Sequence, residues 1–143
     1  MANQNEILAH LRDIAEEAGY SSARVDPESL MLRVVKGMGK DRHQHVYVKP
    51  KDECHGAHKL VTFYAYCREI DSVDKQEIYE LLQENWKLPI GKYSVTETAS
   101  GPMLAICCDH LLDFMQKEEF ATAVDYVAEH ADEYERRFNQ DRY

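Results

Sequence analysis

Long apolar runs are missing from this chain of 143 residues. No stretch approaches the roughly 18 residues that a membrane-spanning helix requires. The opening segment MANQNEILAHLRDIAEE lacks the basic head and the unbroken apolar stretch of a secretory signal. A cytoplasmic protein with no membrane partner is therefore expected. Cysteine is sparse, with Cys54, Cys67, Cys107 and Cys108 the four present. Two of them are adjacent, and adjacent cysteines rarely bridge because the ring strains the peptide. A core of this size needs no disulfide framework, so reduced thiols are expected. Basic residues are outnumbered, 17 against 26 acidic, for a net charge of −9. Such a surface repels phosphate backbones, and general nucleic-acid binding is not expected. Signatures of catalysis are missing as well: there is no G-x-S-x-G, G-x-G-x-x-G, P-loop or H-E-x-x-H. The short run GMGKD is a glycine turn, since no helix start follows it to hold a phosphate. Neither an enzyme nor a cofactor is expected.

What is present describes an ordinary globular domain, 44% hydrophobic and 30% charged. Ile7, Leu8, Leu11, Ile14, Ala15 and Ala18 recur at helical spacing, with Asn3 or Asn5 as cap and Gly19 as stop. SLMLRVVKGMGKDRHQHVYVKPK then alternates apolar and polar residues around a glycine turn, predicting a hairpin that ends where Pro50 stops pairing. KDECHGAH reads as a polar connector. In KLVTFYAYCREI, Val61, Phe63, Ala65 and Cys67 share one face, and Thr62, Tyr64, Tyr66 and Arg68 the other.

Asp74 with Glu77 suggests a capping box for a second helix carrying Ile78, Leu81 and Leu82, which Pro89 and Gly91 end. GKYSVTETASGPMLAICCDH supplies two more strands around a TASGP turn. The final helix spans about Lys117 to Phe138, with Phe120, Val124, Val127, Ala128, Ala131 and Phe138 inward. Glu118, Glu119, Asp125, Glu129, Asp132, Glu133 and Glu135 are expected to face water, and Arg136 and Arg137 complement the helix dipole. The expected fold is a single α+β domain covering residues 1–143, ordered α-β-β-β-α-β-β-α, with helices packed on an antiparallel sheet.

Four features invite a chemical reading. In LAICCDHLL, alternation sends Cys107 and Cys108 to opposite faces, so the two thiols cannot hold one ion and a core strand results. Cys54, His55 and His58 cluster in the connector and form the alternative metal set, although their spacing matches no zinc signature. His43 and His45 would join them if the connector folds back. Arg33, Lys36, Lys40, Arg42, Lys49 and Lys51, against Asp41 alone, make a local basic stretch open to an acidic ligand. Finally, Tyr47, Tyr64 and Tyr66 are placed together on a sheet face that either contacts a polypeptide partner or lies beneath further helices. Ile78, Leu81, Leu82 and Trp86 similarly either pack inward or form a dimer interface.

The C-terminal half also resembles known families. The runs ENWKLPIGKYSV, GPMLAICCDHLL and FATAVDYVAEHADEYERRF carry the likeness, through Leu88, Pro89, Gly91 and Tyr93, the strand Leu104 to Leu112, and Ala131, Asp132, Glu133 and Tyr134. The pattern is similar to the YbjN-like and type III secretion chaperone-like families. That resemblance implies a small, acidic, often homodimeric protein that binds a protein or peptide client without enzymatic activity. It further implies that an extended client segment lies against apolar patches and strand edges.

Overall fold

A computed structural model describes residues 3–39, 41–56 and 58–138, and of residues 52–55 the backbone only. Helix α1, Gln4–Glu17, begins where the Asn3 side chain accepts a 2.9 Å hydrogen bond from the Glu6 N–H. It ends just before Gly19, whose φ of 98° suits a residue without a β-carbon. Its buried stripe is Ile7, Leu8, Leu11, Ile14 and Ala15.

Strand β1, Arg24–Asp26, adds an element that periodicity does not reveal, because three residues are too few to show alternation. It pairs with the start of β2, Met31–Gly39. A tight turn with Asp41 at φ 61° leads into β3, Arg42–His55, and β4 follows at His58–Glu69. The expected connector is thus the end of a long hairpin. Pairing does not stop at Pro50, which sits opposite Val61; the register slips between Pro50 and Cys54 and then resumes. Proline lacks a donor for the ladder, so an irregularity beside it is the least costly place for one.

Helix α2, Lys75–Asn85, starts where the Asp74 carboxylate accepts from the Glu77 N–H at 2.8 Å. Its last residue ties it to the next strand, β5, Lys92–Thr98. The Asn85 amide nitrogen donates to the Tyr93 carbonyl at 3.0 Å, and its oxygen accepts from the Tyr93 N–H at 2.8 Å. Gly91 lies so close to the Tyr126 ring and the Cys107 carbonyl that a β-carbon there would meet that oxygen at 2.8 Å. Strand β6, Gly101–Leu111, precedes helix α3, Lys117–Arg137.

The six strands form one antiparallel sheet in the order β1-β2-β3-β4-β6-β5. Helices α1 and α3 cover one face, and α2 joins them through Leu81 and the hydrogen bond from the Tyr134 hydroxyl to Glu77. The core between them contains Val34, Val46, Val48, Val61, Phe63, Ala65, Cys67, Ile106 and Phe120, none exposed to solvent. Phe120 meets Phe63 edge-on at 5.3 Å and Tyr20 at 6.1 Å. The architecture is α+β, as expected, with one strand more than periodicity supplies.

Two expected surface carboxylates are inside. Asp132 is 3% exposed and Glu135 4%. Asp132 pairs with Arg42 and, at 3.4 Å, with Arg136. Glu135 accepts from the Gln44 side-chain amide at 2.9 Å. Arg42 and Gln44 come from β3, a distant element, so helical periodicity alone assigns both acids to water. Among the described residues no helix is long and apolar enough to cross a membrane.

Candidate functional site: the open face of the sheet

Side chains alternate along each strand, so every strand that feeds the core presents its other residues to the opposite face. Among the described residues no helix covers that face. The register builds one rung straight across all six strands: Arg24 opposite Arg33, Arg33 opposite Tyr47, Tyr47 opposite Tyr64, Tyr64 opposite Cys107, and Cys107 opposite Lys92. Tyr66, two residues along β4, completes a three-ring cluster. Tyr47 and Tyr64 stack at 5.4 Å, Tyr47 lies 5.3 Å from Tyr66, and Tyr64 meets Tyr66 edge-on at 5.7 Å. All three are half-buried. The three tyrosines thus share one face of the sheet, as alternation requires.

The face is concave. A groove of about 760 Å³ is floored by Tyr64, Tyr66, Ala105 and Cys107 and walled by the end of β5 and the start of the turn after it, Val95 to Ala99. That volume falls within the roughly 300–1,000 Å³ of ligand-binding clefts. Lys49 and Lys51 stand at its rim. Lys51 pairs with Asp109 at 3.1 Å, and the Thr62 hydroxyl donates to the same carboxylate at 2.6 Å. Burial is the main cause that raises the Tyr64 and Tyr47 hydroxyl pKa values, with Tyr66 beside them adding to it. At neutral pH both phenols are protonated donors. His45 is shifted the other way, chiefly by burial and then by His43 and Arg33, so it stays neutral.

The two groups of metal candidates are not drawn together, although the hairpin sets His55 opposite His58. His43 and His45 touch at 5.2 Å near the start of β3, whereas Cys54 and His55 lie at its far end. Nine strand residues separate His45 from Cys54, which amounts to about 30 Å. The connector cannot fold back because it is itself paired strand. The side chains of Cys54 and His55 lie outside the described residues, and His58 binds the Asp113 carboxylate at 2.8 Å. Among the described residues no group of three potential ligands converges.

Two of the thiols, Cys67 and Cys108, are unsuited to nucleophilic work. Burial raises the Cys67 pKa and pushes Cys108 up to about 12, so both remain thiols. Cys107 faces the groove, opposite in sense to Cys108, as alternation requires; its sulfur lies 3.3 Å from the Ser94 hydroxyl.

The α2 residues divide. Leu81 is 3% exposed and Ile78 packs on the core, so neither is available to a second subunit. Trp86 at 92%, Leu82 at 63% and Tyr79 at 59% face outward. Tyr79, which the apolar stripe of the sequence passes over, completes that outer face.

No family model matches the chain. No curated protein matches it either. Among solved structures it is similar to YbjN from E. coli, described there as a proposed transcription regulator, at 16% identity and a TM-score of 0.60. The match covers 92% of this chain and 90% of that one. The fold is YbjN-like. At this identity the likeness is one of architecture alone. The YbjN-like fold extends over the N-terminal half as well, where the quoted motifs offer no guide. What sequence reasoning misses is the cationic end of the rung. Arg24 gains its place opposite Arg33 only through β1, for which no periodic signal exists.

Proposed function

We propose that this protein is a non-enzymatic binding module, chaperone-like or adaptor-like, which holds a polypeptide partner on the open face of its sheet. The observation that carries this reading is the tyrosine cluster flooring a groove beside an uncovered antiparallel face. Partly exposed tyrosines offer large, rigid contact area with a polar tip, the composition favoured at protein interfaces. Groups able to act in concert as nucleophile, base and orienting partner are not assembled there among the described residues, and the two buried thiols are inert.

The test is affinity capture from cells that naturally make the protein, comparing the wild type with a Tyr47→Ser, Tyr64→Ser, Tyr66→Ser variant. A stoichiometric polypeptide retained by the first and lost by the second is the expected result. An identical set of bound proteins, or none, overturns the reading. Homodimerisation belongs to the same proposal and attaches to the outward face of α2, Tyr79, Leu82 and Trp86. Light scattering should report a dimer for the wild type and a monomer for Trp86→Ser.

A regulatory role of the kind given for YbjN fits the same face if it works through a protein partner. Direct nucleic-acid contact is disfavoured by the net charge of −9.

A further inference from the structure

The open face is charged differently from the rest of the molecule. In a protein of net charge −9, the strands place Arg24, Arg33, Lys49 and Lys51 on this side, with Asp26 and Asp109 beside them, Glu97 lining the groove and Glu69 at the end of β4 opposite Met103. Asp26 and Asp109 are already satisfied internally. Asp109 accepts from Lys51 and Thr62. Asp26 accepts from the Ser29 hydroxyl at 2.7 Å and the Glu28 N–H at 3.0 Å, and these bonds, with Arg33 nearby, hold its carboxyl below the usual range. Arg33 and Lys49, by contrast, are exposed and have no ion-pair partner among the described residues.

Arg24 and Arg33 stand directly opposite one another in the ladder. Like charges in that position are destabilising. A partner bearing carboxylates would relieve this repulsion and gain charge-assisted hydrogen bonds from both guanidinium groups. The rung then continues through Tyr47 and Tyr64, whose hydroxyl lies 3.9 Å from the Met31 sulfur, to Lys92, whose ammonium donates to the Leu88 carbonyl at 2.8 Å. At about 4.8 Å between strands the rung is roughly 24 Å long, the reach of about seven extended residues.

We propose that the open face binds an acidic, extended polypeptide segment of about seven residues, laid across the strands along this rung. The inference rests on the polypeptide-binding reading and names the chemistry of the partner. A single-stranded nucleic acid also carries negative charge, but it needs free aromatic faces on which to stack bases. Here Tyr47 and Tyr64 each give one face to the other, and Tyr64 meets Tyr66 edge-on. A peptide carboxylate needs only the hydroxyl tips and the flanking cations.

Fluorescence anisotropy with the full chain tests this, using labelled peptides of alternating glutamate and leucine, the same peptides with serine or lysine in place of glutamate, and an oligothymidylate. The glutamate peptide should bind at least about tenfold more tightly than the serine peptide. Its affinity should fall as salt rises, and Arg33→Glu with Lys49→Glu should erase its advantage while circular dichroism stays unchanged. The more conservative Arg33→Ser should give part of that loss. Equal binding of the glutamate and serine peptides would reject the acidic partner and leave the polypeptide reading intact. Binding of none of the peptides would overturn both. Affinity that rises with salt would mean that the net negative charge dominates, and tighter binding of oligothymidylate would assign the face to nucleic acid. Either result overturns the proposal.

Discussion

On the helix-covered face of the sheet, Val34, Val46, Val48, Val61 and Phe63 are sealed from solvent, and Arg42 and Gln44 there reach Asp132 and Glu135 on α3. On the open face the same strands carry Arg33, Tyr47, Lys49, Tyr64 and Tyr66, half-buried or exposed, with Arg33 and Lys49 in no ion pair among the described residues. A β-strand assigns alternate residues to opposite faces whatever their chemistry. The difference between the faces is therefore written in the sequence, position by position. One face is close to complete; the other has charge and aromatic surface that the chain itself does not use.

The contrast can be broken from the closed side first. Phe120→Ala, which removes a ring lodged between Phe63 and Tyr20, should cost about 3–5 kcal/mol in urea denaturation. Gly91→Ala tests a point where the two faces meet, since its added carbon would press on the Tyr126 ring and the Cys107 carbonyl. A loss of about 1–3 kcal/mol is expected, with a lower midpoint and an unchanged slope. Unaltered stability would mean that the backbone there yields easily.

The open side should respond in the opposite sense. Arg24→Ser removes one of two opposed guanidinium groups and should raise stability by about 0.2–1 kcal/mol. The same variant should bind an acidic peptide less well. Destabilisation would show that the arginine packs rather than repels.

The smallest effect is a pH dependence with one histidine on each face. Burial lowers the pKa of His45 on the open side and of His110 on the closed side. Each prefers to be neutral when folded, so the unfolded chain binds more protons below its ordinary pKa of about 6.5. Stability is therefore full above that value and falls as the pH drops toward the folded pKa of each. His110→Leu, measured by thermal denaturation across this range, should flatten the decline. An unchanged slope would place its origin elsewhere.

Much of this was legible in the sequence, and the reasons for the rest are physical. Val61, Phe63 and Ala65 alternate with Thr62, Tyr64 and Tyr66, so their faces could be read directly; Arg68, expected beside the tyrosines, is turned to Glu77 of α2 by the irregularity that follows Tyr66. Arg24–Asp26 could not, because a strand of three residues has no period. Asp132 and Glu135 lie on a helix whose acids mostly face water, and only the arrival of Arg42 and Gln44 from β3 draws them inside. The separation of His43 and His45 from Cys54 follows from the hairpin continuing past Pro50. Local composition favours a loop there, and the ladder overrides it. The tyrosine cluster was foreseeable as a shared face; its closure into a groove needs the end of β5 and the start of the turn after it, whose position is tertiary.

The bond pair between Asn85 and Tyr93 bears on how this protein behaves in a crowded solution. In an antiparallel ladder a residue directs its N–H and its C=O to the same side. Both of these groups of Tyr93 are taken by Asn85, so they point away from β6 toward the place where a seventh strand would lie. The side-chain amide occupies that place, matching a peptide group donor for acceptor. An outermost strand with bare backbone is a template for stacking between molecules and for fibre growth. Here any intruding chain must first displace an amide that already satisfies both bonds, so a sheet that could be extended without limit is given an end.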